Sequence, residues 1–222
     1  MRSEIYWIDT KSGPKLAIMA RPRAGDWLED EIAHWKDAGV ERVVSLLEQN
    51  EIEELELGAE ARLCARSGID FVSFPIADRH VPDDMPEALA LAWRLAVSGK
   101  RIAIHCRAGI GRSSVMAAAV LVAAGITPEA ALAAITAARG VEVPDTEAQR
   151  QWVLRLGGAT FLKLRRCPGD RLTHLVRSAS FSSGPKYYFG TSPYASPWVS
   201  MRAAAIASCG VLPAHRTNWN TG

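Results

Sequence analysis

The feature that most constrains this chain is the stretch RIAIHCRAGIGRSSVMAAAV at residues 101–120. It begins with a short run of branched apolar residues, which is typical of a buried strand. It continues through a loop that contains Gly109 and Gly111 into a helix-forming sequence that is apolar on every side. A strand and a helix of this kind need other elements to cover them, so we expect both to lie at the centre of the fold.

Strand-type and helix-type patterns alternate along most of the chain. Predicted strands lie at residues 3–9, 14–20, 41–47, 70–76 and 101–106. Predicted helices lie at residues 25–40, 51–68, 85–100, 111–125, 127–140 and 146–156. This alternation predicts an α/β fold with a central mixed, mainly parallel sheet flanked by helices on both faces. The first two strands flank the turn TKSGP and predict an N-terminal hairpin.

Several residues are predicted to mark helix ends. Asp26 is a candidate N-cap of the first helix, and Thr127 is a candidate N-cap that is followed by Pro128 at the first helical position. The charged run at residues 51–68 is expected to form one helix that ends at Gly68.

The chain divides into two parts of opposite charge. Residues 1–157 contain 18 Lys and Arg against 23 Asp and Glu, whereas residues 158–222 contain 8 against 1. The second part is rich in Ser, Pro and Gly and has no sustained apolar period. We therefore expect a folded domain at residues 1–157 and a basic, largely disordered tail. The tail lacks a dense Lys/Arg run, so contact with nucleic acid or a membrane surface is the less favoured interpretation.

The N-terminal residues and the cysteines indicate a cytoplasmic protein. The start of the chain has no basic segment followed by an apolar core, and no run reaches the roughly 18 apolar residues that span a bilayer. The four cysteines form neither a disulfide ladder nor a paired zinc pattern. Cys64 is predicted to be a small buried helix residue, and Cys167 and Cys209 receive no role.

Cys106 differs from the other cysteines because it ends a predicted strand just before a helix. The unpaired N–H groups and partial positive charge of a helix N-terminus favour a thiolate there. Gly109 and Gly111 allow successive backbone N–H groups to converge on one point. Arg112 adds a planar group that can bind two phosphate oxygens. These residues predict a phosphate site over a sulfur nucleophile.

The segment HCRAGIGRSS resembles the signature loop of the cysteine-dependent protein tyrosine and dual-specificity phosphatase superfamily, His-Cys-x-x-Gly-x-x-Arg-Ser/Thr. The resemblance implies that Cys106 is the nucleophile and that Arg112 clamps the phosphate. It also implies that the Ser113 hydroxyl eases breakdown of the phosphocysteine and that His105 orders the loop and favours the thiolate. The substrate-binding loop would comprise Arg107, Ala108, Gly109, Ile110, Gly111 and Arg112.

Enzymes of this family need a general acid, because the leaving oxygen must be protonated as the P–O bond breaks. Asp78 in FPIADRHVPDD lies 28 positions before Cys106, and its context resembles the acid loop of compact dual-specificity enzymes. Asp83 and Asp84 are alternatives that fit better as the cap of the next helix. Asp70 opens the preceding strand and is the weakest candidate.

The segment RGVEVPDTEAQRQWV resembles the part of the family in which a Thr and then a Gln precede a helix. The resemblance implies that Gln149, with Gln151 as the fallback, helps to place the hydrolytic water. A solvated helix glutamine is the alternative. Arg79 and His80 beside the predicted acid could steer an anionic substrate, although solvated loop charges are the preferred interpretation.

These residues together predict a metal-independent phosphomonoester hydrolase without a cofactor. The partner is expected to be a phosphorylated protein or a small phosphate ester, with no nucleic acid and no membrane, and the sequence does not predict an oligomeric state. A domain of this size resembles the small dual-specificity type, which implies a phosphotyrosine phosphatase that also accepts phosphoserine and phosphothreonine.

Other functions remain open at this point. The loop lacks the Lys pair of the lipid-phosphatase branch, but inositol phosphates and other small esters stay possible substrates. A sulfur-transfer or arsenate-reducing enzyme would use the same type of loop, although neither needs an acid loop. A phosphoprotein-binding pseudoenzyme would typically lack the Cys, Arg or Asp that this chain has.

Overall fold

A computed structural model describes residues 2–11 and 13–157 of the 222-residue chain. The strands are β1 (Ile5–Ile8), β2 (Leu16–Ala20), β3 (Arg42–Ser45), β4 (Asp70–Ser73) and β5 (Ile102–Cys106). The helices are α1 (Leu28–Asp37), α2 (Gln49–Glu54), α3 (Glu60–Arg66), α4 (Met85–Ala96), α5 (Arg112–Ala123), α6 (Pro128–Arg139) and α7 (Glu147–Arg155). A 3₁₀ turn at Gly25–Trp27 precedes α1.

The five strands form one sheet in the order β1-β2-β5-β3-β4. β1 runs antiparallel to β2, and all other neighbours are parallel. The predicted N-terminal hairpin is therefore confirmed. β5 lies at the centre, where all five of its residues are buried, as the apolar run before Cys106 predicts. The carboxyl end of this central strand points into the loop that precedes α5.

Helices cover both faces of the sheet. One apolar core packs α4, α5, α6 and α7 against one face, and a second core packs α1 and α3 against the other. α5 is buried along its whole length, because it lies between the sheet and the neighbouring helices. The predicted mixed, mainly parallel α/β fold is thus confirmed. Within the described residues, no helix combines the length and apolarity needed to cross a membrane.

Two predictions about helices are wrong. Residues 51–68 do not form one helix, because α2 ends at Glu54 and α3 begins at Glu60. Between them Glu56 adopts a positive φ of 54° and Leu57 turns into the core with only 2% exposure. Asp26 is not an N-cap, because it lies inside the 3₁₀ turn and its side chain accepts no capping hydrogen bond.

Other predictions about helix ends and cysteines are confirmed. Thr127 accepts a hydrogen bond from the Ala130 N–H, and Pro128 is the first residue of α6. Cys64 is fully buried in α3, in the core on the α1 face. The predicted tail at residues 158–222, with Cys167 and Cys209, lies outside the described residues.

Candidate active site

Cys106 lies at the junction between β5 and the loop that leads into α5. The residue is only 3% exposed. Its Sγ accepts a hydrogen bond from the Gly109 N–H at 3.3 Å and lies 3.6 Å from the Ser113 hydroxyl oxygen. The sulfur thus lies at the N-terminal end of α5, within reach of one backbone N–H and one hydroxyl group.

The loop that curls around Cys106 requires glycine at position 109. Gly109 has a φ of 72°, and a Cβ there would lie 2.5 Å from the Met19 carbonyl and 2.6 Å from the Ala20 nitrogen. Both the left-handed backbone and the close approach of β2 therefore exclude a larger residue. The loop and the end of β2 are also joined by a hydrogen bond from the Arg21 N–H to the Arg107 carbonyl.

A side chain from α6 holds the outer side of this loop. Arg139 Nε donates to the Gly109 carbonyl oxygen at 3.3 Å, and the Arg139 guanidinium stacks 4.1 Å from the centre of the Tyr6 ring. The Gly109 carbonyl is thereby turned toward Arg139, while its N–H points at the Cys106 sulfur. No sequence pattern distinguishes Arg139 or Tyr6 from other residues of their segments.

Arg112, the first residue of α5, lies beneath the loop and is 2% exposed. Its two Nη atoms donate to the Glu51 carboxylate at 2.6 and 2.8 Å, and Nη1 also donates to the Ile76 carbonyl at 3.0 Å. Nη2 lies 3.0 Å from Asp78 Oδ1. These contacts fix the plane of the guanidinium at the base of the cleft.

The pairing between Arg112 and Glu51 changes the titration of both side chains. Burial alone would raise the pKa of Glu51, but hydrogen bonds from Arg112 and from the Glu48 N–H outweigh burial and hold it below its usual range. Burial alone would lower the pKa of Arg112, but the Glu51, Cys106 and Asp78 side chains raise it. Both groups therefore stay ionised. Glu51 went unidentified in the sequence because it belongs to an acidic run that resembles a solvated helix surface.

Asp78 lies at the mouth of the same cleft, on the loop that follows β4. Its side chain is 60% exposed. The other candidate acids lie elsewhere: Asp84 caps α4 by accepting from the Glu87 N–H at 2.9 Å, and Asp70 pairs with Lys100 and Arg42 at the start of β4.

The glutamine in the second matching segment is buried, so the alternative of a solvated helix residue is wrong. Gln149 has 0% exposure and lines the cleft, whereas Gln151 is exposed and pairs with Glu147 on the surface of α7. Gln149 Oε1 accepts from the Thr146 N–H at 3.3 Å, and Nε2 donates to the His80 carbonyl at 3.0 Å.

His105 points to the opposite face of the sheet from Cys106, because successive strand residues alternate. It is fully buried, and its Nε2 lies 2.8 Å from Glu60 Oε1. Its ring lies 6.2 Å from that of Trp35. No sequence pattern distinguishes Glu60, which opens α3 in an ordinary helical segment.

These side chains enclose a cleft of about 170 Å³. It is lined by Asp78, Arg79, Cys106, Arg107, Ala108, Ile110, Gly111, Arg112, Asp145 and Gln149. Two further residues contact the Cys106 sulfur, Gly109 from the loop and Ser113 from the first turn of α5. Across residues 2–11 and 13–157, no cluster of three or more His, Cys, Asp or Glu side chains is arranged to hold a metal ion.

Charged pairs surround the mouth of the cleft. Arg107 pairs with Glu54 at 2.6 Å, and both side chains are exposed. Arg79 Nη1 lies 3.5 Å from Asp145 Oδ2, with the Arg79 side chain 66% exposed. The preferred interpretation of Arg79 as a solvated loop charge is therefore incomplete, because it also lines the cleft and contacts Asp145.

Comparisons with known proteins agree with this geometry. A family model described as "Polymorphic toxin system, DSP-PTPase phosphatase" matches residues 17–126, which include Asp78 and the segment HCRAGIGRSS. A protein of Invertebrate iridescent virus 6 named "Putative tyrosine phosphatase 197R" is 32% identical over 152 residues, which cover 63% of this chain and 55% of the viral protein. The match thus spans about half the length of that relative.

Solved structures share the fold. Kinase associated phosphatase (KAP), with its catalytic cysteine substituted by serine, superposes with a TM-score of 0.64 and 20% identity and covers 75% of this chain and 98% of its own. Tk-PTP in its active form has a TM-score of 0.53 and 25% identity, with 69% of this chain and 95% of its own covered. The chain belongs to the cysteine-dependent tyrosine and dual-specificity phosphatase family of hydrolases.

Proposed function

We propose that this protein hydrolyses phosphomonoesters on proteins through a phosphocysteine intermediate. The observation that carries the proposal is the convergence of Cys106, Arg112 and Asp78 on one cleft of about 170 Å³. A sulfur nucleophile, a phosphate-binding cation and a proton donor are the three groups that this chemistry needs. Family membership supports the same reaction class.

In the first step, Cys106 Sγ attacks phosphorus in line with the leaving oxygen. Backbone N–H groups of residues 107–112 and the Arg112 guanidinium bind the three equatorial oxygens in the transition state. Asp78 donates its proton to the leaving oxygen as the P–O bond breaks. The products are the free alcohol or phenol and a phosphocysteine.

In the second step, water attacks the phosphocysteine. Asp78, now a carboxylate, accepts a proton from this water, and the buried Gln149 amide helps to position it. The Ser113 hydroxyl oxygen lies 3.6 Å from Sγ, so once the sulfur leaves as a thiolate this hydroxyl can turn to donate a hydrogen bond to it. Inorganic phosphate leaves and the thiolate is regenerated.

The exposure of Asp78 supports a broad substrate range. Its side chain is 60% exposed, so the proton donor lies near the protein surface rather than at the base of a deep slot. Short phosphoserine and phosphothreonine side chains can reach a shallow site, and phosphotyrosine can also enter it. We therefore expect activity on phosphotyrosine peptides and on phosphoserine and phosphothreonine peptides.

The test is hydrolysis of an aryl phosphate and of phosphotyrosine, phosphothreonine and inositol phosphate substrates in EDTA. Wild type is compared with Cys106→Ser, Asp78→Asn and the control Asp83→Asn, an exposed carboxylate that does not line the cleft. We expect no activity for Cys106→Ser, strong impairment for Asp78→Asn and normal rates for Asp83→Asn. A folded wild type that is inert on every ester would reject the proposal, and thiosulfate sulfurtransferase activity in the same preparation would favour sulfur transfer. A preference for inositol phosphates over every peptide would replace proteins as the substrate class.

A further inference from the structure

Two contacts join the acid loop, defined as residues 77–81, to the start of α7. Arg79 Nη1 lies 3.5 Å from Asp145 Oδ2, and Gln149 Nε2 donates to the His80 carbonyl at 3.0 Å. Arg79 and His80 are the two residues that directly follow Asp78. Asp145 and Gln149 thus contact the two residues on the C-terminal side of the predicted acid.

The amide orientation of Gln149 is fixed by the N-terminal cap of α7. The Thr146 N–H donates to Gln149 Oε1 at 3.3 Å, and the Gln149 N–H donates to the Thr146 hydroxyl at 3.2 Å. Because Oε1 accepts the hydrogen bond from the Thr146 N–H, the amide nitrogen Nε2 faces the His80 carbonyl and can donate to it. A flipped amide would set two N–H donors against each other and two oxygens against each other, which is costly because both contacts are partly buried. The capping box therefore aims Gln149 at the acid loop.

The acid loop has a backbone that needs outside support. Arg79 is a non-glycine residue with a φ of 59°, in the left-handed region that disfavours side chains. A turn bond from the His80 N–H to the Ala77 carbonyl and a 2.7 Å contact between His80 Nδ1 and the Asp78 carbonyl are internal to the loop. The contacts from Asp145 and Gln149 come from a different element and tie this turn to the rest of the fold.

We propose that Asp145 and Gln149 are positioning residues that hold the acid loop over the cleft before substrate binds. In this position Asp78 Oδ1 lies 3.0 Å from Arg112 Nη2, so the carboxyl group is already beside the phosphate-binding cation. The inference rests on the proposed function of Asp78 as the proton donor. Loss of either contact releases the loop and removes Asp78 from the leaving oxygen for part of the time.

A misplaced proton donor has a specific kinetic signature. Phosphate esters with acidic leaving groups need little protonation, whereas esters with basic leaving groups depend on it. The dependence of kcat/KM on leaving-group pKa therefore becomes steeper when the donor is displaced. kcat/KM reports only the steps up to formation of the phosphocysteine, so a role of Gln149 in placing water in the second step does not contribute.

The experiment measures kcat/KM for a series of aryl and alkyl phosphates with Asp145→Asn, Gln149→Leu and the control Asp83→Asn. For Asp145→Asn we expect about a two- to fivefold loss with the most basic leaving groups, the range that a largely exposed ion pair supports, and little loss with the most acidic ones. Asp83→Asn should match wild type. Asp145 is partly exposed, with 31% of its side chain accessible, so its variant should fold even if the buried Gln149→Leu chain does not.

A double-variant comparison separates this inference from the proposed function. In an Asp78→Asn background the Asp145→Asn effect should vanish, because the group being positioned is absent. An equal loss for all leaving groups, or an Asp145→Asn effect that persists without Asp78, would overturn the positioning role. If Asp78→Asn itself leaves the leaving-group dependence unchanged, the proposed acid is wrong and the positioning role falls with it.

Discussion

Arg112 and Glu51 form a two-point ion pair beneath the cleft, with N–O distances of 2.6 and 2.8 Å. Their side chains are 2% and 5% exposed. Glu51 also accepts from the Glu48 N–H at 3.0 Å as part of the capping box of α2. The Glu51 carboxylate thus helps to cap the N-terminus of α2 and also orients the guanidinium that is proposed to bind phosphate.

Replacing Glu51 by Ala should destabilise the protein and impair phosphate binding together. Removal of one partner of a buried ion pair leaves an uncompensated charge, and the free energy of unfolding should fall by about 3–5 kcal/mol. Urea denaturation measures this loss. The matched control is Glu54→Ala on the same helix, because Glu54 makes a similar two-point contact with Arg107 at the exposed surface. Equal effects of the two substitutions would show that burial of the pair does not matter.

The Glu51 pair should also make stability depend on pH in a defined direction. Burial alone would raise the pKa of Glu51 in the folded state. Hydrogen bonds from Arg112 and from the Glu48 N–H outweigh burial and hold this pKa below its usual range. A lowered folded-state pKa contributes stability above the unfolded-state value of about 4.3, and this stability is lost as the pH falls through the folded-state pKa. Wild type should therefore lose more stability than Glu51→Gln between pH 7 and pH 3, measured by denaturation at each pH. Parallel losses in both chains would contradict the assignment.

Gly109→Ala should be much more harmful than an alanine at another left-handed glycine. Position 109 has a φ of 72°, and its new Cβ would lie 2.5 Å from the Met19 carbonyl in β2. Gly99 has a φ of 69° with nothing within 4 Å of an added methyl group, so Gly99→Ala isolates the backbone cost of roughly 1 kcal/mol. Thermal unfolding and vanadate binding distinguish the two variants. If Gly109→Ala is as stable as Gly99→Ala and binds vanadate normally, the prediction is wrong, because β2 then moves enough to accommodate the added methyl group.

Features set by local patterns could be predicted from the sequence. The central strand and helix around Cys106 follow from unbroken apolar runs, and the hairpin follows from a polar turn between two strand-like segments. Glu51 could not be predicted, because it lies 61 positions from Arg112 and is one of several similar acidic residues. The break of the predicted helix after Glu54 has the same origin, since the burial of Leu57 depends on tertiary packing that a local helical pattern does not encode.

Arg139→Met should weaken phosphate binding by the loop at residues 107–112, although Arg139 itself does not line the cleft. Arg139 donates to the Gly109 carbonyl at 3.3 Å and stacks on Tyr6. When this donor is lost, the peptide unit between Gly109 and Ile110 loses its contact with α6, so the Ile110 N–H, one of the loop donors proposed to bind phosphate, is held less firmly. A hydrogen bond to a charged group is worth about 1.5–3 kcal/mol, so vanadate affinity should fall about tenfold or more.

Two comparisons check the reason for this loss. Tyr6→Phe keeps the ring that Arg139 stacks on, so it should bind vanadate as wild type does, whereas Tyr6→Leu should lose part of the affinity. Arg139→Lys keeps the charge but lacks the planar group and should rank between wild type and Arg139→Met. Wild-type affinity in Arg139→Met would show that the loop holds its conformation alone.

Cys64 should not protect Cys106 from oxidation by forming a disulfide. Cys106 faces the core of α4 to α7, whereas Cys64 packs in the core of α1 and α3 on the other face of the sheet. Side chains on opposite faces cannot reach the Cβ separation of about 4 Å that a disulfide requires. Burial also raises the pKa of the Cys64 thiol well above its usual range, so this sulfur stays an unreactive thiol.

Peroxide should inhibit Cys64→Ser as reversibly as wild type, with activity restored by added thiol, and peptide mass spectrometry should find no Cys64–Cys106 link. Irreversible inactivation of Cys64→Ser alone would mean that the two sulfurs meet despite the sheet between them.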